Sequence, residues 1–336
     1  MKSERSQSPW SEPGWLEHAS AWIDDELSRL GRTTTGPVEQ PHERPWSTIL
    51  RVPTHEGAVY FKACAGVLAH EVAVTQALAQ WKPDCMPSVL AAEPKEGWML
   101  MADGGITVRE AIKAEGDIRH WEQLLPRYAE LQIEMVNHVD DLLAAGIPNR
   151  LLTTLPDQIE TLLGHKDMLH IGQPEGLTSA EYERLVGMKE RLTGLCDELA
   201  ASPIPESIHH GDFHDANIFL NEGRYVFFDW GDSSVAHPFF SLRTAFVIIE
   251  YFQGFKPGSP ELAQLRDVYL EPWKSFGSRD NLLAAFELAS RLSPLTSALG
   301  WYRVVSSLDP SVRTDYAGAV PSLLREFLEM EDRAAK

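Results

Sequence analysis

The sequence predicts an α+β fold built in two parts, and three observations lead to that expectation. Between residues 47 and 101, four short runs rich in β-branched and aromatic residues alternate with turns and one helical segment. From residue 107 onward, apolar residues recur mainly at the spacing of helices. The chain of 336 residues is long enough for two domains or for one domain with two lobes. We therefore expect a mixed part over 1–103 and a mostly helical part over 104–336.

Each element of the first part is predicted from its local pattern. The polar residues 1–14 show neither the apolar spacing of a helix nor the alternation of a strand, and we expect them to be flexible. Apolar residues at helical spacing predict two helices, and branched apolar runs predict four strands. In chain order these elements are a helix at 15–30, a loop at 31–45, strands at 47–52 and 58–63, a helix at 67–81, and strands at 88–92 and 98–101. The strands on either side of Gly57 are expected to form a hairpin.

The second part contains two capping-box sequences, in which a threonine precedes a helix and a glutamate follows three residues later. They are Thr107 with Glu110 and Thr178 with Glu181. Other helical patterns lie at about 118–144 (interrupted or kinked at Pro126), 152–164, 238–252, 260–271, 279–292 and 320–334. A strand-like exception at about 207–229 predicts a small β insert within the helical part.

Composition excludes some classes of function. Acidic residues outnumber basic ones by 49 to 30, and the formal charge of −19 argues against binding to nucleic acid or to anionic membranes. The same charge is compatible with a cationic substrate. Three widely spaced cysteines predict no disulfide framework, and neither a secretory signal nor a run of about 18 apolar residues is visible. We therefore expect a soluble cytoplasmic protein.

The densest group of polar residues lies at 208–220, and a further acid follows at Asp229. Asp212 and Asn217 are five residues apart on a predicted loop with apolar residues on both sides. A turn at 221–223 would return the chain, so that Asp229, at the end of an apolar run, comes back to that loop. A buried carboxylate is costly unless it is paired or bound to a metal. Two carboxylates and an amide oxygen suit Mg²⁺ together with substrate phosphates.

The first part holds a pair of charged residues at apolar positions. Glu71 falls on the apolar face of the helix at 67–81, together with Val74 and Leu78. Lys62 ends the preceding strand, also at a position that is otherwise apolar. Because an unpaired buried carboxylate is costly, we expect Lys62 and Glu71 to pair. The alternative is that both side chains reach solvent at the ends of their elements.

The run H-G-D-x-H-x-x-N at 210–217, followed by F-D-W-G at 228–231, resembles the catalytic and metal-binding motifs of the aminoglycoside phosphotransferase family. The order of the parts agrees over about 45–245, and residues 98–103 resemble the family's hinge. The resemblance implies a bilobal protein-kinase-like fold, with a small N-terminal lobe of antiparallel sheet and helix and a larger, mostly helical C-terminal lobe. It also implies transfer of the γ-phosphoryl group of ATP, with Mg²⁺, to a hydroxyl of a small molecule such as an aminoglycoside, an amino sugar or choline.

The resemblance further implies roles for residues of the catalytic loop and the metal site. Asp212 is expected to accept or orient the substrate hydroxyl. Asn217 and Asp229 are expected to hold Mg²⁺ on the nucleotide phosphates. His210 is expected to brace the loop.

The nucleotide itself is expected to bind the first part of the chain. By the same resemblance, Lys62 contacts the α- and β-phosphates and is positioned by Glu71. The backbone near Met101 and Ala102 is expected to hydrogen-bond the adenine ring.

Two features depart from the family. Residues 46–56 contain no glycine, so we expect Ser47, Thr48 or backbone N–H groups to cover the phosphates instead of a glycine-rich loop.

Where the family has an aspartate that braces the catalytic loop, this chain has Ser241. That replacement leaves open a nucleotide-binding pseudokinase with weak or no activity. The histidine-rich segment leaves a metal-dependent hydrolase as a remote alternative, although the order of its residues fits no such motif.

The acceptor of the phosphoryl group is not specified by any motif. In the family the acceptor site lies in the helical lobe near the catalytic loop, and cationic acceptors would be expected to meet an acidic lining. Asp215, Asp232 and Glu250 are the candidates for that lining. The alternative for each is a solvated surface acid or a contact that braces a loop.

Overall fold

The computed structural model describes residues 8–335 and divides the chain into two compact units. The first unit runs as far as Thr107 and also contains Asn217–Gly231 and Ser307–Thr314. The second unit consists of Val108–Ala216, Asp232–Ser306 and the residues from Asp315 onward.

The N-terminal segment 1–14, for which flexibility is the expectation, contains local structure in its second half. Residues 1–7 lie outside the described residues, but Pro9–Ser11 form a short 3₁₀ helix. The Trp10 ring is buried and packs edge-on against Trp15 at 5.4 Å, and its Nε1 donates to the Arg44 carbonyl at 2.6 Å. A large aromatic ring with both a packing site and a hydrogen-bond acceptor is sufficient to anchor the segment.

The described residues form ten strands. They are β1 (Glu39–Glu43), β2 (Ser47–Thr54), β3 (Gly57–Cys64), β4 (Val89–Glu93), β5 (Trp98–Ala102), β6 (Ile106–Thr107), β7 (Ser207–His209), β8 (Ile218–Asn221), β9 (Arg224–Phe227) and β10 (Ser234–Ala236). The first five make an antiparallel sheet in the order β1-β2-β3-β5-β4, which confirms the predicted antiparallel sheet of the N-terminal part. A second antiparallel sheet has the order β6-β8-β9, and β7 pairs with β10.

The predicted loop at 31–45 is wrong over its last part, where β1 lies. This strand is mostly exposed and has no apolar alternation, so its sequence carries no strand signal. It is an edge strand, and its register with β2 is irregular between Glu39 and His42. Pro41 falls at that irregularity, and an edge position tolerates a residue without an N–H group.

One face of the five-stranded sheet is covered by the first helix, α1 (Trp15–Arg29). Phe61 of β3 is fully buried there, with the rings of Trp22 and Trp98 at 5.7 and 5.5 Å. Ile23 and Leu27 complete the contact from the helix. Burial of such aromatic and aliphatic side chains contributes about 1.5–3 kcal/mol each, so this layer holds the sheet that carries Lys62.

The remaining α-helices of the described residues follow in chain order. They are α2 (His70–Trp81), α3 (Val108–Glu115), α4 (Arg119–Met135), α5 (Val139–Ala144), α6 (Leu155–Gly164), α7 (Ser179–Val186), α8 (Lys189–Ala200), α9 (Leu242–Gln253), α10 (Pro260–Leu270), α11 (Arg279–Ser307), α12 (Pro310–Arg313) and α13 (Ala319–Ala334).

The predicted capping box at Thr178 and Glu181 is present. The predicted interruption at Pro126 is not, because α4 continues through this residue and the helix is interrupted at 136–138 instead. Over residues 8–335, no helix combines the length and the apolar character needed to cross a membrane.

Candidate active site

Lys62, Glu71 and Asp229 come together in the first unit. The Lys62 Nζ lies 2.6 Å from Glu71 Oε1 and 2.6 Å from Asp229 Oδ1. Lys62 and Glu71 are buried, whereas the Asp229 side chain is 41% exposed. The predicted Lys62–Glu71 pair is therefore formed, and the ammonium group also reaches an accessible carboxylate.

The local structure explains why these charges are tolerated. Burial disfavours the Lys62 ammonium, but the charges of Asp229 and Glu71 outweigh it and raise the pKa of Lys62. Glu71 lies in the first turn of α2, where the helix dipole favours a negative charge, and it also accepts a hydrogen bond from Cys64 Sγ at 3.0 Å. A Cβ atom at Gly231 would approach Glu71 Oε2 to 3.0 Å, so a glycine at that position leaves room for the carboxylate.

Asn217 and Asp229 lie at the same end of the β8–β9 hairpin. Ile218 pairs with Phe227, and the Phe228 N–H donates to the Asn217 carbonyl at 3.2 Å. The hairpin thus returns Asp229 to Asn217, as the turn at 221–223 predicts. Asp229 has a φ of 66°, a backbone conformation that non-glycine residues adopt rarely and often at functional sites.

The predicted hinge residues Met101 and Ala102 end strand β5, which lies between β3 and β4. Met101 pairs with Tyr60 of β3, and Ala102 pairs with Val59. The Ala102 N–H donates to the Ser88 carbonyl at 3.0 Å. That N–H group is therefore already engaged, and a ring bound here would have to use other backbone groups of the segment.

Asp212 belongs to the second unit and follows β7. Its carboxylate Oδ2 lies 3.2 Å from His214 Nε2, and its side chain is 41% exposed. The Ala216 N–H donates to His214 Nδ1 at 3.1 Å, so the proton of the neutral imidazole is on Nε2 and is donated to Asp212. The sequence pattern contained His214 but gave no reason to assign it this positioning contact.

Asp215 is buried and paired, so it is not an open acidic group for a substrate. Arg109 Nε and Nη2 both donate to Asp215 Oδ1, at 2.9 and 2.7 Å. The same guanidinium stacks over the Phe252 ring, 4.7 Å from its centroid. The pair ties α3 to the loop that carries Asp212.

Ser241 takes part in a buried network that supports the same loop. Tyr128 Oη donates to Ser241 Oγ at 2.8 Å and accepts from the His210 N–H at 3.3 Å. The Tyr128 ring stacks on Phe213, with 3.9 Å between the centroids. Gln132 Nε2 donates to Ser241 Oγ and to the Ile208 carbonyl. A tyrosine thus links Ser241 to the loop backbone where the family has an aspartate.

The first unit thus combines a five-stranded antiparallel sheet, a buried lysine paired with a helix glutamate, and an aspartate at the end of a hairpin, as the sequence resemblance implies. The chain belongs to the phosphotransferase enzyme family, whose family model matches residues 68–273. By family, the protein is an enzyme of the small-molecule kinase type.

Solved structures of low identity share the fold. A type I macrolide 2'-phosphotransferase is 14% identical with a TM-score of 0.57, over 91% of this chain and 97% of that one. Choline kinase LicA from Streptococcus pneumoniae is 14% identical with a TM-score of 0.59, over 93% and 99%. An aminoglycoside phosphotransferase in ternary complex with AMP-PNP and hygromycin B is 16% identical with a TM-score of 0.51, over 92% and 98%. No curated protein sequence matches the chain.

Proposed function

We propose that the protein transfers the γ-phosphoryl group of ATP, in the presence of Mg²⁺, to a hydroxyl group of a small molecule. The observation that carries the proposal is the position of Lys62 between Glu71 and Asp229, at 2.6 Å from each. Phosphoryl transfer depends on positioned cations that neutralise charge, and a lysine held by two carboxylates is such a cation. Within this proposal the part over 1–103 binds the nucleotide and the part over 104–336 binds the acceptor.

Lys62 would contact the α- and β-phosphates. Because Glu71 is buried, it would not contact a substrate, and its function would be to hold the Lys62 ammonium group in place. Asp229 is the accessible partner, and it can exchange its contact with Lys62 for a metal ion when phosphates bind.

Asn217 and Asp229 fit a Mg²⁺ site. Their amide and carboxylate oxygens are hard ligands, they lie at one end of a hairpin, and Mg²⁺ prefers few protein ligands together with phosphates and water. Bound there, the ion would neutralise charge on the phosphates. The adenine ring would bind along the backbone near Met101.

The turn Arg44–Trp46 between β1 and β2 would cover the phosphates. The charges of Arg44, Lys62 and Asp229 all act on the pKa of His42, which burial and the two cations lower. His42 of β1 pairs with Ile49 of β2, and Ile49 pairs with Lys62 of β3, so the end of β1 lies two strands from the lysine. Thr48, expected earlier to serve this purpose, is buried and bonded to Gln40 and to the His42 carbonyl.

Asp212 would accept or orient the proton of the acceptor hydroxyl. The His214 Nε2–H group holds Asp212 Oδ2 at 3.2 Å, and the Asp212 side chain is 41% exposed, so a substrate can reach it. A carboxylate is a weak base, and this is sufficient when the hydroxyl proton leaves late in the reaction.

The test is a screen for ADP formation with aminoglycosides, sugars, amino alcohols and hydroxy acids as acceptors. We expect turnover with at least one acceptor, and Asp212→Asn should lower kcat about 100-fold or more because general-base catalysis contributes that much. Asp197→Asn on the exposed face of α8 is the matched control and should retain wild-type kcat. Wild-type turnover in Asp212→Asn would contradict the role of this residue. Binding of Mg²⁺–ATP without turnover of any acceptor would favour the pseudokinase.

A further inference from the structure

Arg109, in the first turn of α3, contacts two other elements of the second unit. On one side its guanidinium group donates from Nε and Nη2 to Asp215 Oδ1, at 2.9 and 2.7 Å. On the other side the group lies over the Phe252 ring of α9, 4.7 Å from the ring centroid. Because a carboxylate and an aromatic face each orient a planar guanidinium, the group is held from two directions.

The pair between Arg109 and Asp215 is only partly open to solvent. Asp215 is buried, and the side chain of Arg109 is 35% exposed. Water and salt screen such a pair less than they screen a pair on the surface. Separation of the two groups would leave a buried carboxylate without its cation, which is costly. We therefore expect the guanidinium group to stay beside the loop that carries Asp215.

The same guanidinium group faces the ring of His214. Arg109 Nη2 lies 3.5 Å from His214 Nδ1, and the Ala216 N–H donates to the same nitrogen at 3.1 Å. Two donors therefore meet at Nδ1, which has to be the unprotonated nitrogen of the ring. The ring proton is then on Nε2, which lies 3.2 Å from Asp212 Oδ2. Arg109 thus favours the tautomer that donates to Asp212.

The charge of Arg109 acts in the same direction as its geometry. Burial lowers the pKa of His214, whereas the hydrogen bond and charge of Asp212 produce a net rise, to which Asp215 adds. The positive charge of Arg109 opposes that rise. A protonated Nδ1 would have to donate a hydrogen bond where the Ala216 N–H already donates one, so the observed contacts require the neutral ring.

We propose that Arg109 is a positioning residue for Asp212 and acts through His214. The guanidinium group orients the imidazole ring, and the ring holds the Asp212 carboxylate by its Oδ2 atom. This inference rests on the proposed function, because Asp212 is the residue assigned there to the acceptor hydroxyl. A displacement of about 1 Å in a reacting group can cost on the order of 100-fold in rate, so the orientation of the carboxylate matters. Arg109 lies 105 positions before His214, outside the motif that contains both other residues.

Arg109→Gln tests this role in the reaction. The change removes the charge and the planar fork, and kcat should fall about tenfold or more with the acceptor found in the screen. KM for ATP should change little, because Arg109 is not part of the proposed nucleotide site. Arg109→Lys keeps the charge without the fork and should recover part of the loss. Wild-type kcat in Arg109→Gln would overturn the inference.

Arg325→Gln is the matched control for that variant. The Arg325 side chain is also 35% exposed, and it donates to Glu181 Oε1 at 3.0 Å and to the Gly176 carbonyl at 2.8 Å. Both substitutions thus remove an arginine that has a carboxylate partner and a further contact, and both are expected to lower Tm. Only Arg109→Gln should lower kcat. An equal fall of kcat in the two variants would indicate loss of stability and would overturn the positioning role.

A measurement without substrates separates this inference from failure of the proposed function. Nitrogen NMR distinguishes a protonated from an unprotonated ring nitrogen, and His214→Gln identifies the His214 signals. We expect an Nε2–H ring in the wild type, and in Arg109→Gln a mixture of tautomers or a protonated ring. The Ala216 amide, which Nδ1 holds, should exchange its hydrogen about tenfold faster in that variant.

The two kinds of failure then give different results. An unchanged His214 signal with an unchanged Ala216 exchange rate in Arg109→Gln would overturn the action through His214, whatever the value of kcat. The expected NMR and exchange results in a wild-type protein that forms no ADP with any acceptor would instead overturn the proposed function.

Discussion

At the scale of single residues, the site depends on one buried lysine that has two different partners. Glu71 is buried and Asp229 is accessible, so one contact is structural and the other is open to exchange with ligands. Burial raises the pKa of Glu71 even though Lys62 opposes that effect. Lys62 is thus required both for the fold and for the proposed nucleotide site, and a single substitution cannot separate the two.

A double variant does separate them. Lys62→Met leaves Glu71 buried without its cation, and we expect the free energy of unfolding to fall by about 3–5 kcal/mol. Adding Glu71→Gln removes the unpaired carboxylate and should recover most of that stability, while the affinity for Mg²⁺–ATP stays low. Urea denaturation and calorimetry measure the two effects. Wild-type affinity in the double variant would refute the role of Lys62.

At the scale of elements, the catalytic loop is supported by a helix that the sequence motifs do not include. Tyr128 and Gln132 both lie on α4, one turn apart, and both contact Ser241. Tyr269 of α10 donates to Gln132 Oε1 at 2.6 Å, so a second helix holds the network in place. Ser241 is consequently compatible with a supported loop, which weakens the one sequence feature that favoured a pseudokinase.

Tyr128→Phe tests this support. The change leaves the His210 N–H without its acceptor, and we expect the free energy of unfolding to fall by about 1–3 kcal/mol. Because the loop carries Asp212, kcat should fall while KM for ATP changes little, which a purely structural role would not predict. Tyr182→Phe also removes a hydrogen bond, to the Leu163 carbonyl, and is the matched control for kcat. Equal kcat values in the two variants would contradict a positioning role for Tyr128.

At the scale of the whole molecule, two buried histidines link stability to pH. Burial lowers the pKa of His209 and of His237 to about 3, and the charge of Arg150 contributes at His209. Both rings are therefore neutral in the folded protein. The unfolded chain, with a histidine pKa of about 6.5, binds more protons in the interval between these values. Stability from these residues is present above about pH 6.5 and is lost as the pH falls towards 3.

His237→Asn should reduce this dependence. His237 Nδ1 accepts from the Phe239 N–H at 3.4 Å, and an asparagine oxygen can replace that acceptor without titrating. We expect the free energy of unfolding of the variant to fall less steeply between pH 6.5 and 4, as measured by urea denaturation at each pH. A slope identical to that of the wild type would show that His237 is not buried in its neutral form.

The amino-acid sequence by itself determined the elements whose signals are local. The β2–β3 hairpin, the apolar face of α2 and the hairpin that returns Asp229 towards Asn217 all follow from spacings of two to four residues and from short turns. The order of the motifs was enough to identify the family, which residues 68–273 then matched.

Only the tertiary structure decided which distant residues meet. Lys62 and Asp229 are 167 positions apart, Tyr128 and Ser241 are 113 apart, and Arg150 and Thr296 are 146 apart. The strand β1 has no apolar pattern, and it forms because its backbone pairs with the edge of β2. Such contacts arise when whole helices and sheets pack, and packing brings together residues that no local spacing relates. For that reason the support of the catalytic loop appears only in the folded chain.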